Sequence, residues 1–520
     1  MSYIRILQVN VASLLCLFSF ASFAITDVSS PGVLDRTGET YRLVQDVVAD
    51  GTAFSIRGSD ITFDLNGHTI TYNDSPSEQP VAGVHIDSLS DRIRVTNGYI
   101  VQGGGLSLNS HAIVMMGGGS VQGPSIFSYL VIRTYADATG GIHASHDFSF
   151  RKSSIHHVYI RSTGNATSTA GDGVTGIYIS SDVGEISVTD NVIVDSHRGI
   201  GVARLGIAET SPAVSTLRNN LIQVRRSPGA KAPYGIMVAK SRNVMVRQNQ
   251  IVSDQGRGII LDGWGQGTNR GSDFNEVSGN LIDVQYTQTA VTGSYIENNV
   301  YGVRDRYSSG NNLFTFNDII VSTTTSGVVY GFYIGSDATD PLMTDINVSN
   351  NRILVRRGNA GPTDASVFKF DYAISIAVSE NGYQTDGDVV QYHWSGANFV
   401  DELVMSNNQE IRGNTEDPVA PSAVSITQFL DSYLLKWNRS VSSDVMEYVV
   451  YRDGERLPIS PRGGHFYVDT DVSGEHTYSV TALSLAGIES SPSSTVSTRR
   501  ATIGWWGTRP NPPQSLSPNP

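Results

Sequence analysis

The chain has 520 residues, with 36 Lys and Arg against 49 Asp and Glu, for a net charge of −13. That balance argues against general nucleic-acid binding, which needs a basic surface. Charged residues make up only 16% while glycine numbers 52, so surface polarity must come from Ser, Thr and Asn, and the length predicts several domains or a repeat architecture.

At the amino end, Arg5 precedes an apolar run from Val11 to Phe23, and Ser22-Phe23-Ala24 supplies small residues for cleavage. This is the pattern of a secretory signal peptide. Residues 1–24 are therefore read as a leader, with the mature protein starting near Ile25 and localised outside the cytoplasm, secreted or periplasmic. No later stretch approaches the roughly 20 apolar residues of a transmembrane helix, and a soluble monomer is expected. Cys16, the single cysteine, lies inside the leader, so neither disulfides nor cysteine-held metals are expected in the mature chain.

From there on, one phrase keeps returning: an apolar residue, two spacers, Asn, one spacer, Ile. It runs Val188–Ile193, Leu217–Ile222, Val246–Ile251, Val277–Ile282, Phe314–Ile319 and Val348–Ile353. Its asparagines, Asn191, Asn220, Asn249, Asn280, Asn317 and Asn351, step by 29, 29, 31, 37 and 34 residues. A second phrase, Gly before alternating apolar residues, interleaves with it at Gly141, Gly176, Gly199, Gly235, Gly258 and Gly331. Alternation over four or five residues predicts half-buried strands, and Gly and Asn are turn residues that tolerate left-handed backbone angles. A unit of two or three short strands cannot bury its own apolar face, whereas stacked units share one core. The reading is all-β: a solenoid whose asparagines sit at equivalent turns, bonding the backbone or the Asn of the next coil.

Ile61–Ile70 (ITFDLNGHTI) and the later phrases resemble the carbohydrate-binding and sugar-hydrolase type of right-handed parallel β-helix within the pectate-lyase-like superfamily, over roughly residues 41–411. The resemblance implies the fold. It leaves the reaction open, since that superfamily includes lyases, hydrolases, epimerases and non-catalytic proteins.

Aligning the glycine phrases stacks residues of successive coils about 4.8 Å apart. One face then gathers His143, His146, Tyr178, Arg204, Lys240 and Asp262, with Arg304 to Arg306 two coils on. Elimination on a uronic-acid polymer needs a base for the C5 proton, a group that neutralises the carboxylate, and an acid for the leaving oxygen. Lys240 is the expected base, its pKa lowered by a neighbouring Arg204; Arg204, Arg304 and Arg306 clamp carboxylates; Tyr178 or a His protonates the leaving group. Asp262 is placed at the same site, and His143, His146, Arg304, Arg306 and Trp264 are expected to bind substrate. Residues 237–243 (MVAKSRN) resemble the Lys-Ser segment of alginate- and chondroitin-type β-helix lyases. Those enzymes carry calcium-binding glutamates before that lysine, where this chain has Pro233 and Gly235, and an arginine at the next coil, where it has Asp262.

No metal site is expected. Calcium is the one cofactor left open, with Asp386-Gly387-Asp388 as a weak match, and His156-His157 and His143 with His146 have metal-like spacing without an acidic cluster nearby. The expected function is β-elimination on an acidic polysaccharide. The alternatives are hydrolysis by paired carboxylates, with Asp172, Asp195 beside His197, and Asp262 as candidates, and glycan binding without catalysis.

Past Asn414, Pro418 and Pro421 mark a linker. The domains are read as a leader over 1–24, the β-helix over 25–414, a second module over 415–498 and a Pro-rich tail over 499–520. The second module carries Trp437 in an alternating strand, Tyr448–Tyr451 and Tyr478–Ala482, and resembles a fibronectin type III domain, which implies a sandwich used for spacing or attachment. Cutting after about Asp417 is expected to leave the helix folded and active. Trp505-Trp506 in the tail is read as a sugar-stacking element or as a patch packed on the sandwich.

Overall fold

In a computed structural model of the chain, the described residues are 25–77, 79–115, 123–144, 152–165, 174–182, 184–207, 213–225, 233–254, 256–263, 272–286, 299–307, 310–324, 327–335, 343–358, 365–386, 389–394, 400–458, 462–470 and 473–503. Among them the secondary structure is strand throughout, apart from one short 3-10 turn at Thr498–Arg500. No helix among them is long and apolar enough to cross a membrane.

The chain is a right-handed parallel β-helix. One side is a sheet of thirteen parallel strands: β1 (Gly32–Leu34), β2 (Phe54–Ile56), β3 (Val84–Ile86), β4 (Ile113–Met115), β5 (Ile142–Ala144), β6 (Thr175–Ser180), β7 (Arg198–Ala203), β8 (Tyr234–Ala239), β9 (Gly256–Asp262), β10 (Val300–Arg306), β11 (Val329–Gly335), β12 (Ala365–Asp371) and β13 (Val390–Trp394). Each strand pairs only with the coil before and the coil after it, so Ile200, Ile236, Ile259 and Val303 stack in one row. The remaining strands of the solenoid form a larger parallel sheet wrapped around the other two sides.

The two repeated phrases recur together because their residues meet across the core. A Cβ on Gly199 would lie 2.5 Å from Ile222 Cγ2, and Gly176, Gly235, Gly258 and Gly331 face Ile193, Ile251, Ile282 and Ile353 in the same way. The isoleucine of each Asn-x-Ile phrase thus packs into the space left by a glycine of the thirteen-stranded sheet, and any larger residue there would overpack a dense interior.

At the corner between the other two sides the asparagines form a continuous buried ladder. Asn191 Nδ2 donates to Asn220 Oδ1 (2.9 Å), Asn220 to Asn249 (2.8 Å), Asn249 to Asn280 (3.0 Å), and so on through Asn317, Asn351 and Asn381 to Asn408. Each Nδ2 also donates to a carbonyl of the preceding coil, as Asn249 does to Leu217, and each Oδ1 also accepts the backbone N–H of the preceding Asn. Both amide hydrogens and the oxygen are satisfied, as burial requires. The residue before each Asn takes the left-handed conformation the corner needs: Asp190 has φ 58°, Asn219 56°, Gln248 56° and Asn350 57°.

Beyond the solenoid lie two four-stranded sheets, one built on Ser422–Phe429, Ser432–Asn438 and Phe466–Asp469, the other on Val445–Arg452 and Thr477–Ser484. They enclose Leu435, Trp437, Tyr448, Tyr478 and Val480. The Tyr478 hydroxyl donates to Asp469 (2.8 Å), which also pairs with Arg452 (3.0 Å). This module is not merely tethered. Phe429, Leu434, Phe466 and Val468 pack on Tyr99, Val131, Tyr159, Val192, Leu221 and Val252 of the solenoid. Arg161 bridges Asp195 of the next coil and Asp431 of the module, both at 2.7 Å. Further along, Arg462 pairs with Asp254, Arg356 pairs with buried Glu447 (2.6 Å), and Gly463 N–H donates to buried Asp283 (2.6 Å).

Candidate functional site

With one long side of the solenoid covered by the module, the outer surface of the thirteen-stranded sheet is where polar and aromatic side chains accumulate. Along β7 to β11, the residue just before each glycine of the Gly phrase forms one column: Arg198, Tyr234, Arg257, Tyr301 and Tyr330, each opposite the next. A second column runs through Tyr178, Gly201, Met237, Ile260, Arg304, Tyr333 and Lys369 on β6 to β12. A third ends the strands, with Asp262, Arg306, Gly335 and Asp371.

These groups are held by one another. Arg198 lies over the Tyr234 ring at 5.2 Å, Arg257 over Tyr301 at 5.8 Å, and Arg304 between Tyr301 and Tyr333 at 5.0 and 5.3 Å. Such planar contacts suit guanidinium better than ammonium. Arg306 bonds Asp262 (2.9 Å), and Lys369 pairs with Asp371 (3.2 Å). Arg198, Tyr234, Tyr301, Arg304, Tyr330 and Lys369 are buried, and Arg257, Asp262, Arg306 and Tyr333 half-buried. Burial, with Asp371 beside it, holds the Tyr333 hydroxyl protonated far above the usual phenol range.

Lys240 and Arg204 do occupy matching positions on adjacent coils. Each follows the last residue of its strand in the left-handed region, with φ 46° and 66°, and each continues the ladder, Arg204 N–H donating to Ala239 and Lys240 N–H to Asp262. The Arg204 guanidinium, however, turns back to Asp182 (2.7 Å) on the coil before. Its charge is thus shared with a carboxylate instead of being directed wholly at Lys240. Asp262 likewise belongs to an ion pair, with Arg306.

His143 and Tyr178 stack at 5.1 Å, and buried His111 continues the stack at 4.5 Å from His143. Burial, with His143 nearby, drives the His111 pKa down to about 3, and its Nδ1 accepts the Gly140 N–H (2.8 Å), so the imidazole is neutral. Asp305, next to Arg304 and Arg306 in sequence, points into the lumen instead, where it accepts from Asn312 (3.0 Å). Asp195 is held by Arg161 under the module, away from this face. Asp386 caps a turn, accepting the Arg357 N–H (2.6 Å). His146, Trp264, Asp172, Gly387-Asp388 and Trp505-Trp506 lie outside the described residues.

The sequence reading missed Arg198, Tyr234, Arg257, Tyr301, Tyr330, Tyr333 and Lys369. Five of them, Arg198, Tyr234, Arg257, Tyr301 and Tyr330, stand one residue before a glycine, and that position, outside the alternating run that follows the glycine, is the signal that could have found them.

Residues 129–330, which span most of this face, match the family described as "Periplasmic copper-binding protein (NosD)". Among the described residues no three His, Cys, Asp or Glu side chains converge as a metal site. The nearest donor set is His156 with His157, Nδ1 to Nδ1 at 3.0 Å, two nitrogens only. The described side chains therefore do not fit a complete copper site, and no step is assigned to a metal. No curated protein matches the chain. Among solved structures, the chain is similar to the tailspike protein of E. coli bacteriophage HK620, in a complex with a pentasaccharide, at 10% identity, TM-score 0.37, over 91% of this chain and 86% of that one. It is also similar to the Azotobacter vinelandii mannuronan C-5 epimerase AlgE6 A-module, at 12% identity, TM-score 0.34, over 76% and 92%. An Fn3-like protein from Clostridium thermocellum matches at 23% identity, TM-score 0.15, over 17% of this chain and 95% of that one. These likenesses are too distant to speak of activity.

Proposed function

We propose that this is an exported β-helix protein that binds an acidic, uronic-acid-containing polysaccharide along the outer face of β6–β12 and cleaves it by β-elimination. One observation carries the binding reading. In a chain of net charge −13, Arg198, Arg257, Arg304, Arg306 and Lys369 are gathered on one face and interleaved with tyrosines. Arginine forks recognise carboxylates, and a partly desolvated floor strengthens that recognition. Tyrosine adds flat apolar surface for sugar rings. The periplasmic family whose description matches residues 129–330 agrees with export by the leader. The C-terminal sandwich is read as fibronectin type III-like.

For elimination, Lys240 takes the C5 proton, Arg204 and Arg306 neutralise the uronate, and Tyr178 returns a proton to the leaving oxygen. His143 and Arg304 hold neighbouring sugars, as His146 and Trp264 are proposed to do. Binding without cleavage is the second reading. The Arg204–Asp182 and Arg306–Asp262 pairs favour it, because they already occupy two of the cations the reaction would use.

The deciding experiment follows ultraviolet absorbance and reducing ends over alginate, pectate and chondroitin. New unsaturated ends, lost by about 10² to 10⁴-fold in Lys240→Ala, are expected of the lyase. Reducing ends without absorbance would make it a hydrolase, and binding with neither product would leave a glycan-binding protein.

A further inference from the structure

One pair of nitrogen donors lies outside the face described above, on the strand Ser154–Ser162 of the larger sheet. On a straight strand neighbouring side chains point to opposite sides of the sheet. His156 and His157 depart from that rule. His157 takes the left-handed conformation of the solenoid corner, with φ 55°, and the turn brings both rings to one side, Nδ1 facing Nδ1 at 3.0 Å with the ring planes at 88°. Tyr129, in the same corner place on the preceding coil with φ 56°, packs on both, its ring 5.2 Å from that of His157 and 5.7 Å from that of His156. Both histidines are half-buried, so solvent reaches the pair.

Two imidazole lone pairs repel at this separation, so a proton or a cation must lie between the nitrogens. Two nitrogens that share one metal at about 2.0–2.1 Å, with an angle of about 90–110° at the ion, stand about 2.9–3.4 Å apart, and the observed distance falls in that range. We infer that His156 and His157 form an open chelate for a borderline divalent cation, Cu²⁺ or Zn²⁺, which binds through both Nδ1 atoms and releases the shared proton to solvent. Imidazole suits these ions, and Cu²⁺ leads Zn²⁺ in affinity. Among the described residues no third His, Cys, Asp or Glu joins the pair, so water fills the remaining positions and the ion is exchangeable. Of the charges that act on His156, Asp190 favours a cation and Arg94 opposes it.

The corner itself does not require two histidines. The equivalent places are taken by Thr96-Asn97, Thr189-Asp190 and Arg218-Asn219 on other coils, and Asn97, Asp190 and Asn219 share the left-handed backbone.

The test titrates the full mature chain, carrying no added histidine tag, with Cu²⁺ alone in a calorimeter and records the paramagnetic resonance of the loaded protein. The expected result is one ion per chain, coupled to two nitrogens and displaced by excess Zn²⁺. The double variant His156→Thr with His157→Asn copies the Thr96-Asn97 corner, so it should keep its thermal midpoint while the affinity falls about tenfold or more. Absence of binding, coupling to a single nitrogen, or undiminished affinity in the folded double variant would overturn the site. Should the double variant fail to fold, His156→Thr alone decides: coupling is expected to drop to one nitrogen, and retention of two would place the ion elsewhere.

Discussion

On the outer surface of β7–β12 the side chains include arginines, tyrosines and a lysine. On the outer surface of the strands from Arg94–Gln102 to Gln250–Ser253 they are Tyr99, Val131, Tyr159, Val192, Leu221 and Val252. Inward positions on both sides are the same Ile and Val, so the coil repeat does not distinguish them. The outward residues do. The apolar side is closed by Phe429, Leu434, Phe466 and Val468 of the C-terminal module, while the arginines and tyrosines lie on a different side. A solenoid can thus give its sides different outer surfaces without altering its core.

The largest effect expected from breaking this contrast comes from removing the module. A chain ending at Asp417 would expose six or more large apolar side chains, at about 1.5–3 kcal/mol each, and leave Asp283 without the N–H of Gly463. We expect a thermal midpoint lowered by well over 10 °C, by the usual scaling of stability to midpoint, and self-association in size-exclusion chromatography, contrary to the sequence-based view of a separable attachment domain. A monomeric truncated chain with an unchanged midpoint would show that the covered side does not need its cover.

Next in size is the Asn ladder, which both sides share. Asn249→Ala removes an amide that donates to Leu217 and Asn280 and accepts from Asn220. At about 1–3 kcal/mol for each buried group left unpaired, denaturant unfolding should show a loss of roughly 3 kcal/mol or more. A loss below about 1 kcal/mol would mean that backbone pairing alone holds the corner.

A smaller effect sharpens the interface. Burial lifts the Asp283 pKa to about 6, against the opposing pull of Arg462. The folded state therefore holds a proton that the unfolded state has released between about pH 4 and 6. Stability from this group is fully present below the unfolded value and is lost as the pH rises through 6. Glu447, Arg356 and Asp254 face the same region. Asp283→Asn should flatten that slope in a series of unfolding midpoints; an unaltered slope would assign it to another group.

The smallest effect belongs to the open side. Arg257→Gln should lower the unfolding free energy by no more than about 1 kcal/mol, since a half-buried cation over Tyr301 contributes little to folding, while polysaccharide affinity falls. A large loss of stability would make the arginine–tyrosine columns structural.

Much of this was written along the chain. The spacing of Asn191, Asn220 and Asn249 marks the coils, and the glycines mark where the opposite isoleucines must fit. The apolar cover was legible too: Val192, Ile193 and Val194 are apolar at both parities and all buried, and such a strand signals burial on both faces. Placement of the site was harder. Arg204 meets Asp182 across 22 positions and Arg306 meets Asp262 across 44, because loops of unequal length separate the coils. Which carboxylate faces which cation depends on how far each loop carries the chain around the axis.

By itself, the sequence determined the repeat, the ladder and the interior, since these follow from local periodicity and from the need to satisfy buried amides and fill space beside glycine. Only the tertiary structure decided which outer side the module covers, that Arg204 and Asp262 are paired, and that Arg198, Arg257 and Arg304 line one face. Those outcomes depend on rotation about the helix axis and on contacts between residues hundreds of positions apart, such as Arg161 with Asp431, for which no local pattern carries information.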